Sequence, residues 1–99
     1  MSWETLIRGE IEFKEEISEE WEEKVQKVLE LEDEDYEIRG NRMIIQSVNW
    51  NSHVDEDTLV NVIHELKDEI KEAMLDLYFL DDKKYVLLEN GEISNGAMP

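Results

Sequence analysis

Few residues of this chain combine the types and spacing that chemistry needs. Ser52, His53 and Asp55 are the residue types of a hydrolytic triad. A triad requires its nucleophile, base and carboxylate to converge in space, which sequence neighbours rarely do, and no oxyanion loop accompanies them. Helix capping explains Asp55 better. His53 and His64 stand eleven apart, with no Cys and no His-x3-His spacing for zinc. His64 falls opposite the apolar stripe of its predicted helix and is expected to face solvent. Asp33, Asp35 and Glu37 alternate like the start of a calcium loop. The match ends there: Ile38 stands where Gly is needed and Ile44 where Glu is needed. No metal site and no cofactor is expected, and the chain reads as non-enzymatic.

The remaining signal is bulk charge. The formal net charge is −17. That opposes direct nucleic-acid binding, which needs a basic footprint, and opposes an anionic membrane surface. It leaves two readings, a solubility feature or a partner with a positive surface. No apolar run approaches the ~20 residues of a membrane span. Met1-Ser2-Trp3-Glu4 lacks the basic start and apolar run of a signal peptide, and the absence of Cys fits a reducing compartment. A cytoplasmic protein is expected. With 99 residues, 40% of them hydrophobic, one domain with one modest core is expected over residues 1–93. Residues 94–99 are small and polar, and a disordered tail is expected there.

The elements that must position any site follow from periodicity. Residues 3–13 alternate, with Trp3, Thr5, Ile7, Gly9, Ile11 and Phe13 on one side, which predicts a half-buried strand. Gly9 marks either a bulge or a tight turn in it, and the unbroken phase favours one bent strand. Ser18 caps a first helix whose stripe is Trp21, Val25, Val28 and Leu29. Glu20/Lys24 and Glu23/Lys27 are expected i,i+4 pairs, and the helix should fade near Leu31. Tyr36 to Val54 reads as two strands around a turn at Arg39-Gly40-Asn41-Arg42, with Gly40 and Asn41 at positive φ. Leu59, Ile63, Leu66, Ile70, Ala73, Leu77 and Leu80 are spaced 4, 3, 4, 3, 4, 3. That predicts one helix over Asp55–Asp82, capped by Asp55, with Val54 and Leu59 as a hydrophobic staple. Tyr85–Leu88 makes a last strand, and Asn90-Gly91 a turn from which Glu92-Ile93 folds back briefly.

The order β-α-β-β-α-β is that of the ferredoxin-like, split β-α-β layout. An α+β two-layer sandwich is expected, with a four-stranded antiparallel sheet and both helices on one face. The layout hosts many functions and assigns none. From Glu10 to Glu37 there are 14 acidic and 3 basic residues, and from Asp55 to Asp82 there are 10 acidic and 2 basic. The charge should therefore ride on the helices. Glu19, Glu23 and Glu30 lie farthest from the first stripe, and Asp57, Asp68 and Glu72 farthest from the second. Antiparallel helices would set them as two acidic rows. Leu75 and Phe79, opposite Leu66 and Leu77 on the wheel, would border these rows as an apolar anchor. Met74 and Tyr78 make the end of this predicted helix apolar nearly all round. Trp3 and Trp50 either build core or leave an apolar sheet face for a partner or second copy.

By size, charge and lack of Cys, the chain resembles the acidic inhibitors with which phages and mobile elements block nucleic-acid channels of host enzymes, CRISPR effectors included. The resemblance carries no shared motif. It implies a protein-binding module that docks its acidic face on a basic protein surface by mimicking phosphates. Immunity proteins and antitoxins share the profile. A homodimer through the sheet faces or through Leu75 and Phe79 is the other expectation.

Overall fold

The alternation expected over residues 3–13 builds the central strand from Glu4 onward. In the computed structural model, β1 (Glu4–Phe13) buries Thr5, Ile7, Ile11 and Phe13 on one face. The structure describes residues 4–50, 54–79 and 82–98. Trp3, Ser52 and His53 lie outside these, as does the side chain of Trp50. The other elements are α1 (Glu19–Val28), a single 3-10 turn (Asp33–Asp35), β2 (Tyr36–Arg39), β3 (Arg42–Trp50), α2 (Glu56–Glu65), β4 (Ile70–Phe79), β5 (Asp82–Glu89) and β6 (Glu92–Ala97). The six strands form one antiparallel sheet in the order β2-β3-β1-β4-β5-β6, with both helices on one face. The first four strands have the ferredoxin-like order, and the β5–β6 hairpin widens the sheet beyond β4.

The long helix expected over Asp55–Asp82 is two elements. Its first third is α2, where Leu59, Val62 and Ile63 face the core. Leu66 caps α2, and the turn through Glu69 closes with Glu69 N–H donating to the Leu66 carbonyl at 2.9 Å. Beyond it the period changes from 3.6 to 2: Ala73, Leu75 and Leu77 are buried, while Met74 is exposed. The fourth strand of the expected layout is therefore β4, and Tyr85–Leu88 belongs to a fifth. The expected disordered tail is also corrected. Ser94 to Ala97 pair with β5 as part of β6, and the Asn95 amide donates to Glu56 Oε2 at 2.6 Å.

Gly9 is neither a bulge nor a turn. The register of β1 runs through it unbroken on both edges, and the one shift lies at Glu12/Phe13 opposite β4. At φ +145°, a Cβ there would stand 2.0 Å from the Met74 carbonyl oxygen. The glycine thus permits close approach of β4. The Gly40 turn needs a positive φ at Gly40 alone, whereas the β5–β6 turn places both Asn90 and Gly91 at positive φ. Asn41 contributes differently: its amide donates to the Phe13 carbonyl at 2.9 Å and so ties the hairpin to β1.

Among the described residues, the core between sheet and helices is apolar except at two positions. The hydroxyls of Thr5 and Ser47, diagonal neighbours on β1 and β3, are fully buried and have no hydrogen-bond partner. A buried donor without a partner costs about 1–3 kcal/mol.

Two outcomes follow for stability. Gly9→Ala is expected to cost on the order of 3 kcal/mol, because backbone atoms must move. Gly91→Ala, whose Cβ would meet nothing within 4 Å, should cost about 1 kcal/mol for its left-handed φ alone. Conversely, Thr5→Val should stabilise by about 1 kcal/mol by removing an unsatisfied hydroxyl at equal shape. Urea melts of the three variants check both statements.

Candidate functional site

The helical layer is where carboxylates concentrate without matching cations. Ser18 starts α1: its hydroxyl accepts from the Trp21 N–H at 3.3 Å. This cap sets Glu19, Glu20 and Glu22 in the first turn, where the helix dipole favours anions. Val25 and Leu29 turn into the core, and Trp21 stacks on Phe13 with ring centroids 5.1 Å apart. Anchored this way, α1 presents Glu19 and Glu23 to solvent. Glu30, just past the helix end, takes φ +54° and is exposed as well.

The expected pairing of Lys24 with Glu20 gives way to a bridge between helices. The Lys24 ammonium lies 2.6 Å from Glu65 of α2. One of the few cations of the helical layer is thereby engaged in holding α1 to α2. The segment from Glu15 to Glu34 exposes nine carboxylates, and Lys27 is its one fully exposed cation. A shallow depression of about 500 Å³ opens beside α1, lined by Glu23, Gln26, Lys27, Glu30, Leu31 and Glu32.

Two of its lining residues, Gln26 and Glu32, belong to a hydrogen-bond network that periodicity does not signal. The Tyr36 hydroxyl donates to Glu22 Oε2 at 2.6 Å, and the Gln26 amide donates to Asp33 Oδ1 at 3.3 Å. Burial, then the hydrogen bond to Glu22 and its charge, then Asp33, raise the Tyr36 pKa above its ordinary value, so the phenol stays a donor. The Glu32 N–H donates to Asp35 at 2.8 Å and fixes the 3-10 turn. These bonds hold the exposed Asp33 and Glu34 beside α1.

The second expected acidic row does not form. Asp57 is exposed in the first turn of α2. Asp68 sits in the turn after that helix, and Glu72 lies on β4 with Met74 and Asp76, on the face away from the helices. Leu75 is fully buried and cannot serve as an anchor. Phe79 is half-buried at the end of β4 and borders a second depression of about 290 Å³, with Val54, Asp55, Leu77 and Lys84. The strand period of β4 explains the placements of Glu72, Leu75 and Phe79.

Asp55 is engaged as the cap of α2, accepting from the Thr58 N–H at 2.9 Å and the Thr58 hydroxyl at 2.8 Å. His64 is exposed. Among the described residues, no group of three or more His, Asp or Glu side chains is arranged to hold a metal ion, and no helix is long and apolar enough to cross a membrane.

Fold and surface together define a small two-layer α+β domain with an acidic helical layer. The chain matches no family model, no curated protein and no solved structure at a significant level.

The Thr58 backbone bond, then its hydroxyl bond, hold the Asp55 carboxyl below its ordinary value of 3.8. A group with a lowered folded-state pKa contributes fully above its unfolded value and loses that contribution as pH falls through the folded one. Asp55→Ala should therefore cost about 1 kcal/mol at neutral pH. Thermal melts of both proteins from pH 7 downward should show the gap closing only below about pH 4.

Proposed function

We propose that this chain is a non-enzymatic protein-binding module whose α1 side docks on a basic surface of a nucleic-acid-handling protein. The observation that carries the reading is the excess of exposed carboxylates over exposed cations, nine to one, along the segment Glu15 to Glu34. Glu23, Glu30 and Glu32 line one open depression, Glu19, Asp33 and Glu34 are exposed on the same segment, and Lys24 is engaged by Glu65. Carboxylates fixed on a rigid element can replace phosphates against Lys and Arg, with fast, salt-sensitive association. An inhibitor of a nucleic-acid channel, of the kind phages and mobile elements deploy against CRISPR effectors, would use such a surface. An immunity protein or antitoxin would use it too, against a basic toxin. Self-repulsion among the carboxylates costs stability, and docking on a basic surface would relieve it.

The test separates the place of the charge from its amount. Tagged wild type is used for affinity capture from the source cells, beside two triple variants of equal net charge. One is Glu19→Lys, Glu23→Lys, Asp57→Lys on the helical layer. The other is Glu37→Lys, Glu72→Lys, Glu89→Lys on the opposite face. A basic partner should be retained by wild type and by the second variant, lost by the first, and released as salt rises from about 50 to about 500 mM. Equal retention by both variants, or indifference to salt, overturns the reading.

A further inference from the structure

The face of the sheet away from the helices is uncovered among the described residues. Six strands present about 750 Å² there, from ~3.3 Å per residue and ~4.8 Å per strand. A stable protein interface uses about 800 Å² per partner. Val48 and Met74 are 49% and 60% exposed on this face, and Leu6, Ile44, Tyr78 and Leu87 are half-buried beside them. All three arginines of the chain, Arg8, Arg39 and Arg42, also lie here. It is the least negative side of a very negative molecule.

The charges on this face are ordered across the strands. At one end, Arg39 and Arg42 stand on β2 and β3, while Glu89 and Glu92 stand on β5 and β6. In the middle, Arg8 of β1 lies opposite Asp76 of β4. Apolar positions are ordered likewise, with Ile44 on β3 and Leu87 on β5 in one row, and Leu6 and Tyr78 in another.

We propose that this face binds a second copy of the chain, sheet to sheet, about a two-fold axis running along the strands between β1 and β4. Such an axis lays β2 over the partner's β6, β3 over its β5 and β1 over its β4. Arg39 then meets the partner's Glu92, Arg42 its Glu89, and Arg8 its Asp76. Ile44 meets Leu87, and Leu6 meets Tyr78. The adverse pairings are Glu12 with Glu72, which Lys71, 3.4 Å from Glu12, offsets, and two charges set on apolar groups, Glu10 on Met74 and Lys83 on Val48. A two-fold axis across the strands would also set charges on apolar groups, Arg42 on Val48 and Glu72 on Tyr78, and would form none of the Arg39–Glu92, Arg42–Glu89 and Arg8–Asp76 pairs. Those three ion pairs favour the arrangement along the strands. It leaves both helical layers facing outward, so it is independent of the partner-binding reading and can fail or hold without it.

Sedimentation equilibrium of the full chain in about 150 mM salt tests this. A dimer with micromolar dissociation constant is expected. Val48→Lys with Met74→Asp, both at exposed positions and set against the partner's Lys83 and Glu10, should give a monomer that remains folded by circular dichroism. Arg8→Glu and Asp76→Arg should each weaken the dimer about tenfold, and the double exchange should restore it. A monomer at several hundred micromolar overturns the proposal, as does a dimer indifferent to Val48→Lys with Met74→Asp. A double exchange no tighter than either single variant overturns the axis along the strands.

Discussion

The pairing of β1 with β4 at Gly9 is the constraint on which the rest depends. β1 is bonded along both edges, to β3 on one side and β4 on the other. It joins the part of the sheet formed by β2 and β3 to the part formed by β4, β5 and β6. No side chain fits between the two backbones at Gly9. The neighbours on its face, Ile7, Ile11, Ile45 and Leu75, are buried around that point and meet Val25, Leu29, Leu59 and Ile63 of the helical segments in one core. Burial of each such side chain contributes about 1.5–3 kcal/mol. A bulkier residue at position 9 would therefore move β4 and unseat the helices as well as one pair of strands.

From that pairing follows the separation of charge. A two-layer fold gives each helix one buried stripe and leaves the rest to solvent. In α1 the exposed positions are mostly glutamate, and the 3-10 turn adds three more acids. The sheet face is mixed in sign: Arg42 pairs with Glu10, Lys71 with Glu12, and Arg8 stands opposite Asp76, while Arg39 with Arg42, Glu12 with Glu72 and Glu89 with Glu92 set like charges opposite each other at a cost to strand pairing. The acidic helical layer and the mixed sheet face thus divide one composition between them.

Most of the layout was legible in the sequence. The phase of Thr5, Ile7, Ile11 and Phe13, the caps Ser18 and Asp55, and the Gly40 and Asn90-Gly91 turns act locally, so short windows contain them. The end of α2 was not legible, for a definite reason. Leu66-Lys67-Asp68-Glu69 turns without Gly or Pro, and Ala73 and Leu77, four apart, fit a helix face and a strand face equally. The apolar residues on all sides at Met74, Leu75, Tyr78 and Phe79 were the available sign that the helical period had already broken. That error carried into the site. Leu75 was moved from surface to core, and Glu72 from the helical layer to the far face. The Tyr36–Glu22 bond spans fourteen residues and depends on the docking of α1, so no local pattern announces it.

Electrostatics also decides whether two such chains could pack together. Each protomer carries −17, and in free solution two of them repel. Sheets packed face to face lie about 10 Å apart, and the helical layers stand farther out still, on opposite sides. The screening length at physiological salt is about 8 Å. The uncompensated carboxylates of one α1 would therefore be separated from those of the other by several screening lengths, while the charges brought within contact distance are those of the mixed face. Concentrating negative charge on the helical layer removes it from the one surface where a second copy could approach. The distribution that would suit the helical layer to a basic partner is the same one that would let the sheet face self-associate.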